Sequence, residues 1–313
     1  MRQSRGYDGK IMHQWIKTQS NLFIIASIAL IVIAHGQDIS QSLALFFGLI
    51  LLVIIFGVPH GSLDVLFANQ HYQLNDIKKW LTFIGLYSLT AFIIILIWKL
   101  VPSLLFIAFL ILSALHFADD ISSMSDRYQA VPRWENLIKK LYGFSLIAAP
   151  SWLFAPQLSS LYAMIVDESS AANIVAILQW LCVPLILVTI SLSVICKMQY
   201  RSLLEIITAF LLIILLHPIL AFTIYFCLMH SARHLIRSQF FLKHYSQRDY
   251  LLALTLPTLA VIVFGLMAWH FLPHQSLQSD IVKIVFVGLA ALTVPHAWLL
   301  NSARFYQLLR FHR

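Results

Sequence analysis

Charge is scarce in this sequence. Only 11% of its 313 residues are Asp, Glu, Lys or Arg, and acidic side chains are the rarer, 13 against 21 basic. A chain of this length with so little polar surface cannot cover one soluble core, which excludes a water-soluble globular fold. Cysteine is nearly missing as well. Cys182, Cys196 and Cys227 lie in or beside apolar segments with no CxxC spacing, which excludes a disulfide framework and a zinc ribbon and leaves them as packing residues. No low-complexity stretch interrupts the chain. What is present in abundance is apolar: 60% of the residues are hydrophobic. Runs long enough to cross roughly 30 Å of hydrocarbon recur along almost the whole length and leave no room for a sizeable soluble domain. The expected fold is all-α, a polytopic transmembrane helical bundle formed by residues 1–313 as one integral membrane domain.

Hydropathy places helices near 19–35, 42–63, 80–98, 103–118, 137–163, 172–196, 203–216, 219–241, 250–271 and 281–303, about ten crossings. The first begins with a basic stretch before "NLFIIASIALIVIAHG", the layout of a secretory signal. The basic region is long and no A-x-A site follows, so it reads as a spanning helix. With both termini cytoplasmic, residues 1–18 form an inner N-terminal segment and 304–313 an inner tail. The inner segments then hold 19 of the 21 basic residues, leaving Lys99 and Lys283 outside. This placement accounts for the net charge of +8 without nucleic acid, which is not an expected partner. The expected location is the cell's inner (plasma) membrane, crossed many times. The weak joint is "LLHPIL", where His217-Pro218 reads either as a turn between antiparallel helices or as a kink in one long helix. The charge pattern favours the turn.

Thirteen histidines is a high number for so apolar a chain. His60, His116, His230, His234 and His296 fall in the inner third of the second, fourth, eighth and tenth helices. An unpaired polar group in hydrocarbon costs several kcal/mol, so these rings should face the bundle interior with partners. His230 and His234, in "CLMHSARHL", are four apart on one helical face and can address one ion. With His60 and His116 they make a set of four imidazoles. "VPHGSLD" and "LHFADD" both read H-x-x-x-D, pairing His60 with Asp64 and His116 with Asp120. If each helix continues, the carboxylate can accept the other N–H of its own or of a neighbouring histidine, as partners of metal-bound imidazoles do. Asp64 fits that role better than a plain interfacial charge. Asp120, with Asp119 beside it, fits both equally. Gly57 and Gly61 allow close helix approach, and Arg233 reads as an interfacial anchor rather than a partner of these aspartates.

Neutral nitrogen ligands suit iron, copper, zinc or nickel. Four histidines around a divalent iron leave positions open for dioxygen. A zinc peptidase needs a base such as the glutamate of H-E-x-x-H, yet Ser231, Ala232 and Arg233 separate His230 from His234. Two-iron membrane desaturases need more clustered histidines, so one metal ion is the better fit. Burial of the site implies an apolar substrate, with Phe56, Phe117, Tyr225, Phe226 and Trp298 near enough in sequence to line a flat slot or simply to pack the bundle. A transporter that relays protons or a metal is the alternative from another class, and a hydroxylase acting on another lipid is a second. Polar residues gathered at one end of the helices favour an enzyme.

"GVPHGSLD", "SALHFADD", "CLMHSARHL" and "TVPHAWL" together resemble, in order and spacing, the motifs of the Brp/Blh family of membrane-bound β-carotene dioxygenases, over about residues 57 to 300. The resemblance implies cleavage of β-carotene at its central double bond by O2 to two all-trans retinal, within membrane lipid, with delivery of the product to a rhodopsin. It also implies Fe(2+) held by His60, His116, His230 and His234. The family's H-F-G reads H-F-A here, so Ala118 adds a methyl that can narrow the site. His296, in the fourth motif, is expected to shape the substrate slot with Phe117 and Trp298, to meet an oxygen species or to cap carbonyls freed by Pro295, rather than to ligate.

Overall fold

The computed structural model describes residues 2–34, 43–121, 133–271 and 276–303. All regular structure among them is helical. Helix α1 (Arg2–Ala34) begins well before the apolar run that marks it in the sequence. The second expected crossing is not one helix. It comprises α2 (Leu43–Leu52), a π-helical turn (Val53–Gly57), a short α3 (Pro59–Ser62) and α4 (Asp64–Tyr72). Next come α5 (Ile77–Leu100) and α6 (Pro102–Phe117), the latter closed by a 3₁₀ turn over Ala118–Asp120. The expected helix at 137–163 is divided by Ala149-Pro150 into α7 (Arg133–Ala148) and α8 (Ser151–Ala163), because proline disfavours the α conformation of the residue before it. Helices α9 (Glu168–Ile195) and α10 (Tyr200–Leu215) follow, then α11 (Pro218–Ile224), a second π-helical turn (Tyr225–Ser231) and α12 (Ala232–Phe241). The described chain closes with α13 (Gln247–Phe271) and α14 (Leu277–Ser302).

Eight of the described segments are long and apolar enough to cross a membrane. The broken pair α7–α8 and the 16-residue α10 correspond to the other two expected crossings. The turn at His217-Pro218 is real. Arg233 on α12 pairs with Glu205 on α10, and Tyr142 touches both Phe210 and Tyr225, contacts that only a fold-back between α10 and α11 can bring together. Proline at the first position of α11 starts that helix at no cost in backbone donors.

Burial ranks the helices. In 218–241 the apolar stretch is 61% buried within the protein, against 6% for α5 and for α13. The segment carrying His230 and His234 is therefore the axis of the bundle, and α5 and α13 are its lipid-facing rim. Two exposed helix starts carry side-chain caps. Asp76 accepts from the Lys79 amide at α5, and Asp167 accepts from Ser170 N–H at α9. The Ser169 hydroxyl and the Ser170 amide hold the Asp167 carboxyl well below the usual carboxylate range.

Gly143 decides how α7 meets α6. A methyl group there would collide with the backbone carbonyl of Ala114 and crowd the amide of Ala118, two residues on either side of His116. Only glycine lets the two backbones approach this closely. Gly143→Leu should therefore cost about 1–3 kcal/mol, read as a lower unfolding temperature in detergent, whereas Gly48→Ala, with nothing within 4 Å of its added carbon, should leave that temperature unchanged.

Candidate metal centre

Five imidazoles meet inside the bundle. His60 stands with ring centroids 5.0 Å from His230, 5.3 Å from His234 and 5.5 Å from His296. His116 lies 4.7 Å from His230 and 5.1 Å from His296, and His234 lies 5.5 Å from His296. His230 and His234 are 6.4 Å apart on their shared helix. One nitrogen each of His60, His116 and His296 lies within 4.8 Å of the other two. All four histidines expected from the sequence as ligands come into this group, and His296, expected to stay outside the ligand set, stands among them.

Local backbone explains how. Each of the two π-helical turns abuts a cluster histidine, one ending three residues before His60 and the other containing His230. A π turn widens the helix and re-aims the side chains after it, which is why such turns gather at functional sites. The two turns touch each other. Phe226 packs on Gly57, where a β-carbon would strike its ring, and the Ser231 hydroxyl donates to the Gly57 carbonyl at 3.4 Å. Gly61, by contrast, faces open space, so its expected packing role is absent.

Neither H-x-x-x-D pair sits on a continuous helix. The helix breaks at Leu63, and Asp120 ends a 3₁₀ turn, so each aspartate swings away from its own histidine. Asp64 accepts from His296 Nδ1 at 2.8 Å and Asp120 accepts from His230 Nδ1 at 2.9 Å. His60 instead donates Nδ1–H to the Gly57 carbonyl and lies 3.1 Å from the Ser231 hydroxyl, and His234 Nδ1 lies 3.2 Å from Ser238 Oγ. Tyrosines complete the carboxylates: Tyr87 donates to Asp64 at 2.7 Å, Tyr225 to Asp120 at 2.7 Å, and Tyr142 to Tyr225 at 3.1 Å. Tyr87 and Tyr142 lie outside the four motifs, and no local pattern marks them.

Arg233 corrects the expectation of an interfacial anchor, because it is completely buried. Its guanidinium forks onto Glu205 at 2.8 and 2.9 Å, donates from Nε to Gln19 at 2.9 Å and reaches the Asp120 carbonyl. A buried arginine satisfied on every side ties α1, α10 and α12 to the turn that carries Asp120. Trp298 is a second correction. It is 73% exposed, because two residues along a helix turn the side chain to the opposite face from His296. Phe56, 52% exposed, also faces outward. Phe117 packs on His230 at 4.9 Å, and Phe226 stacks on it at 5.5 Å with planes 14° apart. Ala118 is buried beside Gly143.

The arrangement suits a cation. An imidazole that gives Nδ1–H to oxygen keeps a bare lone pair on Nε2. Nε2 of His116, His230 and His296 is buried with no hydrogen-bond partner, and in His230 and His296, whose Nδ1 serves a carboxylate, it carries a lone pair, an unfavourable state unless something electron-poor accepts it. Counted at formal charge, Asp64, Asp120, Glu205 and Arg233 sum to two negative charges in a site closed to water, which one divalent cation would balance. An all-nitrogen donor set fits iron among the divalent metals.

A family model described as β-carotene 15,15'-dioxygenase matches residues 51–303. The chain is also similar to a β-carotene 15,15'-dioxygenase of uncultured marine bacterium 66A03, 26% identical over 265 residues that cover 80% of this chain and 90% of the relative. No solved structure gives a significant match.

Removing Glu205 would strand a buried guanidinium. Glu205→Ala should cost about 3–5 kcal/mol, seen as a large drop in unfolding temperature and in yield of folded protein, with Lys17→Ala at the surface as the neutral control.

Proposed function

The chain belongs to the β-carotene 15,15'-dioxygenase family, and from that premise we propose that it cleaves β-carotene at its central double bond with O2 to give two all-trans retinal. One carbon–carbon double bond breaks and two carbonyl groups form. Both oxygen atoms come from O2, and no external reductant is needed. The observation that carries this reading is the convergence of buried, carboxylate-oriented imidazoles with bare Nε2 atoms in an apolar bundle.

In this reading His60, His116, His230 and His234 hold a ferrous ion. Bound there, it supplies the activation of dioxygen that a polyene cannot bring about alone. The protein's own part is positional. Asp120 and Tyr225 lock the His230 ring in the tautomer that points Nε2 inward. Phe222 stacks on Phe226 at 5.3 Å with planes 12° apart, and Phe226 stacks in turn on His230, so a column of aromatic rings leads to the cluster and offers apolar, polarisable faces to a polyene. Close packing keeps water out, so which bond is cut follows from where the polyene lies rather than from acid–base groups.

Substrate and product are apolar, so both travel through lipid. The proposed setting is the cell's inner membrane, where a rhodopsin can take the aldehyde as its chromophore.

Expression in a carotenoid-producing bacterium should bleach the pigment and yield retinal. His230→Ala and His234→Ala should each abolish retinal and strip bound iron from the purified protein, and near-normal turnover by either would remove it from the ligand set. Asp120→Asn should lower metal affinity or activity about 10- to 100-fold; an unchanged enzyme would reduce Asp120 to a packing residue.

A further inference from the structure

Two tyrosine–carboxylate–histidine arms enter the cluster, and they are matched. In one, Tyr225 donates to one oxygen of Asp120 at 2.7 Å while the other accepts from His230 at 2.9 Å. In the second, Tyr87 donates to Asp64 Oδ2 at 2.7 Å while Oδ1 accepts from His296 at 2.8 Å. The arms come from unrelated parts of the chain. Tyr225 and His230 share one π-helical turn, whereas Tyr87 lies on α5, Asp64 on α4 and His296 on α14. Both carboxylates are buried, and both end on an imidazole whose Nε2 is buried without a hydrogen-bond partner.

A slot-shaping ring has no need of this second arm. The Asp64 carboxylate accepts and cannot donate, so neutral His296 carries its proton on Nδ1 and can only offer a lone pair from Nε2. It therefore cannot donate a hydrogen bond from Nε2 to an oxygen species in the slot. One ring nitrogen of His296 lies within 4.8 Å of a nitrogen of His60 and of one of His116, close enough for a single ion to be shared among the three.

We propose that His296 is a metal ligand alongside the four histidines of the first three motifs, and that Tyr87, acting through Asp64, is the positioning residue that aims it. The inference rests on the metal reading given above. Tyr225 then plays the same part for His230, and the metal is gripped from two sides by equivalent supports.

The test is metal binding itself, without turnover. Protein stripped by chelator is titrated with Co(II), and bound metal per chain and the visible Co(II) absorption are recorded for the unaltered protein, His296→Gly, Tyr87→Phe and Tyr225→Phe. His296→Gly should lose at least about 100-fold in affinity and show a changed Co(II) spectrum, and free imidazole should restore both. Tyr87→Phe, which keeps the ring volume, should lose about 10-fold, as should Tyr225→Phe. Unaltered affinity and spectrum in His296→Gly would overturn the proposal, and a normal Tyr87→Phe would remove the positioning role. If the unaltered protein takes up no metal, the metal reading itself falls, a result separate from either of these.

Discussion

A neutral imidazole that commits one nitrogen to an acceptor must show a bare lone pair from the other. Inside a lipid-embedded bundle there is no water to satisfy that lone pair. Several such rings facing one another are mutually unfavourable unless a cation lies between them. Much of the structure follows from this constraint. The carboxylates of Asp64 and Asp120 choose the tautomer, the tyrosines hold the carboxylates, and the helices are bent and broken where needed to aim the rings.

The supporting frame is costly in its own right. Burying Arg233 completely is tolerable only because Glu205, Gln19 and the Asp120 carbonyl take up its donors. Its position makes the cost intelligible. The guanidinium lies between the axis helix and the turn bearing Asp120, so the ion pair that joins α10 to α12 also places the acceptor of His230. The paired π turns serve the same end. They bring Gly57 and Phe226 into contact and let His60 and His230 approach ring to ring, which two regular helices carrying β-carbons at that crossing would prevent.

Much of the site was legible along the chain. His60, His116, His230 and His234 stand at one depth of their hydropathy-defined helices, and the structure brings their rings together. Spacing marks Asp64 and Asp120 as acceptors for their own or a neighbouring histidine, and the neighbour is served in both cases, because Leu63 and the 3₁₀ turn break the helices that would align each with its own. Tyr87 was invisible, being one more aromatic on a rim helix with no pattern around it. Along the chain Arg233 has the marks of an anchor, a basic residue near a helix end, and its acid lies 28 positions earlier on another helix.

By itself, then, the order of residues settled the class of fold, the rough placement of most helices and which histidines lie on them. Apolar length and the placement of charge act locally, and a bilayer enforces them whatever the tertiary contacts. Only the folded chain decided which ring each carboxylate serves, where helices yield to π turns and that His296 stands with the other four. Those outcomes depend on atoms brought within hydrogen-bond reach from helices far apart in sequence, and no local spacing encodes such distances.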